Sequence, residues 1–282
     1  MGNKLLPVKS DFMFKLLFGD IRNVDILENF LKSILDIPEE EYESLSIVDP
    51  YLKKESKDDK YGILDVKLQT KSGHAIHIEI QLLPVKAMEE RCVFYQAKMV
   101  TEQISSGNDY SKIKRVISII IADFEFTSDD EYHQQFRLRN VKGSDLTKLL
   151  EVNTLELTKL PSDTDNSNLW DWAKFIKSED DVEMLDNIAE KNPQIKKAVG
   201  ILKELSADER TRMIFEDREK ARRDEVGRIE YAEEKGSNKR AVEIAKRMLK
   251  RNRPIDEVVE DSGLTLDEIS ALKSDMQNNI GS

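Results

Sequence analysis

The chain has 282 residues, 39% of them hydrophobic, and a formal net charge of -11. This length accommodates one large core or one core with an appendage, and the acidic balance argues against a protein that coats nucleic acid non-specifically, because such binding depends on neutralising phosphates. No apolar run is long enough to span a bilayer and the first residues lack the pattern of a secretion signal, so we expect a cytoplasmic protein with no membrane partner.

Two amphipathic helices and one strand are predicted in the N-terminal part of the chain. Ser10 is a suitable N-cap for the first helix, and Asp11 lies in its first turn. The second helix ends before Pro38, and residues 46–52 have the composition of a strand. A charged connection, residues 53–60, follows that strand.

The next two segments, residues 61–69 and 74–81, alternate apolar and polar residues and place acids within the alternation. This period of two is typical of strands with one apolar face and one polar face. The segment between them, residues 70–73, ends in a glycine that suits a hairpin turn. Pairing across the hairpin is expected to bring Asp65 and Glu79 close together on one face.

Two carboxylates that converge on one sheet face repel each other unless a cation lies between them. Oxygen ligands of this kind suit a hard divalent cation such as magnesium or manganese. Asp65 and Glu79 are therefore candidate metal ligands. His77 shares the face of Glu79, and we interpret it as a structural residue or a support for that acid rather than a ligand.

Helical spacing replaces the strand pattern after Pro84 and continues to residues 105–107. Cys92, the only cysteine, lies in this predicted helix, which excludes an internal disulfide and favours a buried structural thiol. Residues 116–122 form a nearly continuous apolar run, as expected for a strand buried on both faces. Weaker strand patterns follow it, at residues 132–139 and 151–158.

From residue 168 onward the pattern is helical, so we place a domain boundary at 160/161. Residues 1–160 are predicted to form the sheet-containing domain and residues 161–282 an all-helical region. The loop at the boundary lacks the glycine and glutamate of a calcium-binding EF-hand loop, and turn chemistry explains its Asp and Asn residues better. Trp170 and Trp172 are interpreted as helix-packing residues rather than base-stacking groups.

The C-terminal region contains a basic stretch, residues 235–253, in which eight Lys or Arg residues accompany one acid, Glu243. A solvated helix face and a nucleic-acid contact both remain open. Ser262-Gly263 indicates a helix stop, and residues 265–268 have the pattern of a capping box that begins a last helix. The resulting pair of short helices is a helix-turn-helix, a generic helical hairpin or a dimerisation element.

Several motifs together resemble a known nuclease core. Asp65 followed by the triplet Glu79-Ile80-Gln81 resembles the PD-(D/E)XK signature, except that Leu64 replaces the usual proline and Gln81 replaces the lysine. Residues 11–19, Leu64 to Lys67, and Ile78 to Gln81 occur in the order expected for the Rpn family, the recombination-promoting nucleases also described as PD-(D/E)XK transposases. The segment 91–95 and the tail from residue 242 to 269 fit that family too.

The resemblance implies an α/β fold: a PD-(D/E)XK restriction-endonuclease-like mixed sheet flanked by helices and followed by the helical region. It implies a magnesium-dependent DNA endonuclease associated with recombination or mobile elements. Asp65 and Glu79 would hold Mg²⁺, or Mn²⁺ in its place, with the backbone carbonyl of Ile80 as a further ligand. DNA is the implied substrate.

The resemblance also suggests roles for other residues. Gln81 would orient the attacking water or contact phosphate, but it carries no charge, so Lys67 or Lys98 is a candidate for the missing cation. Asp11 would approach the same site from the first helix, and Arg91 with Tyr95 would orient or contact the substrate. Plain alternatives are a helix N-terminal charge for Asp11, an acid partner for Lys67 and a surface position for Arg91.

A second hypothesis also follows from Gln81. Without the lysine of the PD-(D/E)XK signature, the domain would be a catalytically weak or inactive nuclease fold that binds DNA or a protein partner. A third hypothesis is a scaffold that interacts only with proteins. A homodimer is compatible with the nuclease hypothesis, because cutting both DNA strands needs two sites.

Overall fold

A computed structural model describes residues 4–48, 66–105, 107, 109–178 and 181–278. Its strands are β1 (Ser46–Val48), β2 (Val66–Gln69), β3 (Ala75–Gln81), β4 (Val116–Ala122), β5 (His133–Arg137) and β6 (Leu150–Glu156). Its α-helices are α1 (Asp11–Phe18), α2 (Val24–Ile34), α3 (Met88–Thr101), α4 (Asn168–Lys177), α5 (Val182–Lys191), α6 (Pro193–Ala207), α7 (Glu209–Lys250), α8 (Ile255–Ser262) and α9 (Leu266–Asn278). This order confirms the predicted mixed sheet flanked by helices and the helical C-terminal region.

The strands form one sheet in the order β1-β2-β3-β4-β6-β5. β3, β4 and β6 run parallel to each other, whereas the β1–β2, β2–β3 and β5–β6 pairs are antiparallel. The predicted hairpin is confirmed: Val66 pairs with Ile78, and Gly73 takes a positive φ of 84° in the turn, a conformation that glycine adopts without strain. Asp65 and the preceding residues of that predicted strand lie outside the described residues.

The two sheet faces carry different side chains, as the alternating pattern predicts. One face joins a large apolar core with α1, α2 and α4–α6, to which β3 contributes Ile76, Ile78 and Ile80. The opposite face of β3 and β4 packs under α3 through smaller clusters, one of which contains Met88, Cys92 and Ile120. β4 is buried along its whole length, which confirms that a continuous apolar run marks a strand covered on both faces.

Aromatic side chains fill the centre of the large core. Trp172 is fully buried and its ring makes edge contacts with Phe18, Phe30 and Phe175. Its Nε1 donates a hydrogen bond to Asn29 Oδ1 at 2.9 Å, so the polar edge of the indole is satisfied inside the core. The interpretation of this tryptophan as a packing residue is confirmed.

Local capping chemistry agrees with the sequence at both ends of the chain. The Ser10 side chain accepts a hydrogen bond from the Met13 backbone and begins α1. Thr265 and Glu268 exchange the reciprocal hydrogen bonds of a capping box before α9. In the loop before α4, Asp165 Oδ1 accepts from the Ser167 backbone at 2.8 Å, which is the turn chemistry expected there.

The chain divides into two compact units, Met1–Phe215 and Glu216–Ser282. The sequence boundary at 160/161 coincides with a change of secondary structure, since the last described strand ends at Glu156. However, α4, α5 and α6 contribute to the same apolar core as the sheet.

No helix in the described part of the chain is long and apolar enough to cross a membrane.

The second unit has its own small apolar core. The C-terminal part of α7, α8 and α9 surround four buried side chains, which are Ala245, Val258, Leu264 and Ile269. Gly263 ends α8 with a positive φ of 72°, so the predicted stop at this residue is confirmed. The unit is therefore a three-helix assembly in which α8 and α9 form the predicted helix-turn-helix-like pair.

The hairpin turn that sets the β2–β3 register is anchored by Glu41. The Oε2 atom of this side chain accepts from Thr70 Oγ1 at 2.5 Å and from the Ser72 backbone at 3.1 Å. Burial raises the pKa of the Glu41 carboxyl, but the hydrogen bonds from Ser72 and Thr70 lower it more, and the resulting pKa is about 2. The ionised carboxylate therefore stabilises the folded turn.

This anchor predicts a specific acid sensitivity. The pKa of Glu41 in the unfolded chain is near 4.5 and in the folded chain about 2, so its stabilisation is complete above pH 4.5 and is lost as the pH falls towards 2. We expect Glu41→Gln to lower stability at pH 7 and to flatten the stability curve in that window, measured by urea unfolding at several pH values. Glu40→Gln, at an exposed neighbouring residue, is the control. An unchanged acid dependence in Glu41→Gln would contradict the anchor.

Candidate active site

One buried carboxylate lies at the centre of the polar face of β3. Glu79 is only 3% exposed, and its side chain lies on the face covered by α3 because odd-numbered residues of β3 point to that side. The next strand brings Ile120 directly opposite Glu79 in the parallel register. A carboxylate in such surroundings needs charged or hydrogen-bonding partners, since burial of an unpaired charge is strongly unfavourable.

Three side chains face the two oxygens of this carboxylate. Arg91 Nη2 lies 2.6 Å from Glu79 Oε1, and Gln81 Nε2 donates to the same oxygen at 2.7 Å. His77 Nε2 lies 3.4 Å from Glu79 Oε2. The structure therefore brings together Glu79, Gln81 and Arg91 from the predicted site, and His77 takes the supporting position expected of it.

Arg91 is held over the site by Tyr95, one helical turn further along α3. Residues four apart share a helix face, and Arg91 Nε donates to Tyr95 Oη at 3.1 Å. The guanidinium also lies over the tyrosine ring, 5.3 Å from its centroid, an arrangement that favours a cation. About a third of the Arg91 side chain is exposed (33%), so this residue is only partly buried against Glu79.

Ser118 is a polar contact that the sequence analysis missed. Its Oγ lies 3.3 Å from His77 Nδ1, and both residues are fully buried. This contact occupies Nδ1 and leaves Nε2 as the ring nitrogen that faces Glu79. His77 Nε2 has no hydrogen-bond partner within the described residues. The sequence feature that could have indicated this contact is that Ser118 is the one hydroxyl residue in an otherwise apolar strand.

The surroundings of Glu79 decide its charge. Burial raises the pKa of its carboxyl, but the neighbouring His77, Arg91 and Gln81 together lower the pKa more, so the net pKa lies below its ordinary value. The side chain is therefore an ionised oxygen donor at neutral pH.

Cys92 lies in α3, the helix that covers Glu79. Burial raises the pKa of its thiol to about 11, which confirms it as a buried structural thiol rather than a nucleophile.

The start of α1 lies at the end of β3 that carries Gln81. Lys9 Nζ forms an ion pair with Asp123 at 2.7 Å, and the Asp123 backbone donates to the Gln81 carbonyl at 2.9 Å. Asp11 follows Lys9 by two residues, is about half exposed, and lies 4.0 Å from Lys15. This placement is compatible with an approach of Asp11 to the site from the first helix.

Lys67 is directed to a different acid. It lies opposite His77 in the hairpin register, and its Nζ is 3.1 Å from Glu102 Oε2 near the end of α3. Arg91, rather than Lys67, is the described cation in contact with Glu79. The sequence did not indicate this pairing, because strand periodicity alone does not determine which turn of α3 covers Glu79.

The donor chemistry of the site suits a hard cation. Glu79 supplies an ionised carboxylate, and the guanidinium at 2.6 Å shows that the position next to Oε1 accommodates positive charge. Among the described residues no group of three or more His, Cys, Asp or Glu side chains lies together as a metal site. Asp65, the second predicted ligand, is outside those residues.

The fold and the buried acid define the class of the protein. A mixed sheet whose central strand carries a Glu-x-Gln triplet is consistent with the PD-(D/E)XK nuclease fold. The family model for PD-(D/E)XK nuclease family transposases matches residues 8–232. The chain therefore belongs to this family, whose wider nuclease group usually uses divalent metals. No curated protein and no solved structure matches the chain.

The contact between Arg91 and Glu79 predicts strong energetic coupling. Arg91→Gln leaves the buried carboxylate without its cation, so we expect it to lower the free energy of unfolding by about 2–4 kcal/mol. In the double variant with Glu79→Gln the neutral amide no longer needs the guanidinium, and the two losses should be non-additive by about 1–3 kcal/mol. Urea unfolding of the four proteins in the cycle measures this coupling. Additive losses would show that the two side chains do not interact.

Proposed function

We propose that this chain is a divalent-metal-dependent DNA endonuclease that hydrolyses phosphodiester bonds, with magnesium as its metal and a role in recombination or mobile DNA. The observation that carries the proposal is the buried, ionised Glu79 carboxylate on the central strand β3. A metal ligand has to be ionised before the metal arrives, and the Glu79 carboxylate meets this requirement.

Asp65 and Glu79 are proposed to hold the metal, with the Ile80 backbone carbonyl as a third protein ligand. Asp65 directly precedes Val66 in the sequence, and Val66 pairs with Ile78, the neighbour of Glu79. A bound divalent ion would supply an activated water and charge stabilisation on the phosphate. The chain's own residues have to orient the DNA and keep the acids in place.

Arg91 and Tyr95 are proposed to contact the substrate. The Arg91 side chain is partly exposed, and a guanidinium has five N–H donors, more than its contacts with Glu79 and Tyr95 use, so others can serve a phosphate oxygen. Gln81 is proposed to orient water or phosphate at the end of β3. Lys67 and Asp11 complete the proposed catalytic residues, although the charge of Lys67 is shared with Glu102.

The alternative function is a nuclease-fold module that binds DNA or protein without cutting. The observation in its favour is Gln81, whose neutral amide donates to Glu79 where the superfamily signature has a lysine. Arg91 offsets this loss of charge, because it places a cation within 2.6 Å of the same carboxylate. We therefore prefer the endonuclease to the binding module.

We further propose that the protein acts in the cytoplasm. We also propose a homodimer, since cutting both DNA strands requires two sites.

Plasmid cleavage tests the proposal. We expect the wild-type protein to nick supercoiled DNA with Mg²⁺ or Mn²⁺, and Asp65→Asn or Glu79→Gln to lower the rate by more than about 100-fold, because each removes a charged metal ligand. The matched control is Glu151→Gln. Glu151 is another buried glutamate paired with arginines, Arg115 and Arg137, but it lies on the opposite sheet face.

The control separates loss of chemistry from loss of stability. Removal of a buried, arginine-paired carboxylate destabilises the fold in both variants, so the comparison is made at a temperature where circular dichroism shows both folded. Full cleavage by Asp65→Asn and Glu79→Gln would refute the nuclease assignment. Metal-independent DNA retention without cutting would establish the alternative.

A further inference from the structure

A strongly basic stretch of surface lies in the second unit. Between residues 235 and 253 there are eight basic side chains, all exposed, and one acid, Glu243. The preceding part of α7, residues 209–234, has the mixed composition of an ordinary solvated helix, with seven bases and nine acids. The basic stretch therefore departs from the rest of the same helix.

The bases occupy one side of the helix and the small apolar core occupies the other. At 3.6 residues per turn, the basic residues of α7 fall within an arc of about 140°. The residues that pack against α8 and α9 lie on the remaining side, and they are Ala241, Val242, Ala245, Met248 and Leu249. We call the exposed side, formed by Lys235, Lys239, Arg240, Lys246, Arg247 and Lys250, the basic face.

One acid, Glu243, lies at the centre of the basic face, four residues from both Lys239 and Arg247, and the six bases of the face outnumber it. Lys239, Lys246 and Lys250 form no salt bridge with any described residue, and like charges stand four residues apart at Lys235/Lys239 and Lys246/Lys250. Such pairs destabilise a helix. The remaining excess of exposed positive charge on one side of the helix suits an external polyanion.

The helix pair α8–α9 has the opposite charge. Residues 254–278 contain seven acids and one base, Lys273. In a helix-turn-helix the N-terminal residues of the second helix contact base edges, but here those residues of α9 are Asp267 and Glu268, and the hydrogen bonds from Thr265 lower the pKa of Glu268. Ionised acids at this position repel DNA, so α9 is unsuited to the recognition role.

We infer that the basic face of α7 is the surface that binds the phosphate backbone of duplex DNA, and that the acidic α8–α9 pair supports this helix from behind without entering a groove. Lys239 to Lys250 spans about 16 Å at 1.5 Å per residue, a length over which a duplex presents several phosphates. Backbone contacts of this kind carry no base specificity. The inference rests on DNA being the substrate of the proposed nuclease.

Fluorescence anisotropy with the full chain and a labelled 20-base-pair duplex tests the inference, with EDTA present so that cleavage plays no part. Wild type is expected to bind with an affinity that falls steeply as salt rises. Lys246→Glu with Lys250→Glu should weaken binding at least about tenfold at low salt and reduce the slope of log K against log salt by about 2, since each lysine contributes about 0.9. The matched control Lys273→Glu, an exposed lysine on α9, should bind as wild type does.

Three results would overturn the inference. The wild type could fail to bind the duplex, or the lysine pair variant could bind it as tightly as the wild type does. Alternatively, Lys273→Glu could lose as much affinity as the lysine pair variant, which would indicate that α9 contacts the DNA. If the lysine pair variant instead dissociates an oligomer in analytical ultracentrifugation and still binds DNA, the basic face is a contact between copies. Failure of this inference can be distinguished from failure of the nuclease proposal. A protein that binds DNA through α7 but never cuts it would contradict the nuclease proposal and leave the DNA-binding inference intact.

Discussion

A charged carboxylate inside a folded sheet is the constraint on which the rest of this structure depends. Glu79 is buried almost completely, yet its environment lowers its pKa and keeps it ionised. Burial of that charge is tolerated because Arg91 and Gln81 contact one oxygen and His77 faces the other. Removing one partner from such a buried, paired charge is strongly unfavourable, so these contacts constrain one another.

The surrounding elements act to hold this carboxylate in one position. The hairpin turn anchored by Glu41 fixes the β2–β3 register, and a slip by one residue would move Glu79 to the apolar face. α3 has to cover the polar face so that Arg91 reaches the acid, and Tyr95 limits where the guanidinium goes. The large core on the other face, with α1, α2 and α4–α6, provides the rigid support for these contacts.

Much of this could be predicted from the sequence because it depends on local periodicity. Alternation in residues 74–81 identified which face carries Glu79, and the apolar run in β4 identified a strand covered on both sides. The caps at Ser10 and Thr265 followed from side-chain chemistry. Contacts between elements that are distant in the sequence could not be predicted from local periodicity. The pairing of Arg91 with Glu79, the contact of Ser118 with His77 and the entry of α4–α6 into the sheet's core depend on how elements pack, which helical or strand periodicity does not encode.

Calorimetric titration of the full-length protein with Mn²⁺ tests the central claim most directly, because it asks whether the buried carboxylate is a metal ligand without relying on any DNA substrate. The account predicts that the wild-type protein and the matched variant Glu151→Gln bind the ion, and that Glu79→Gln binds it at least about tenfold more weakly. Equal affinity in Glu79→Gln, or no binding by the wild type, would contradict it.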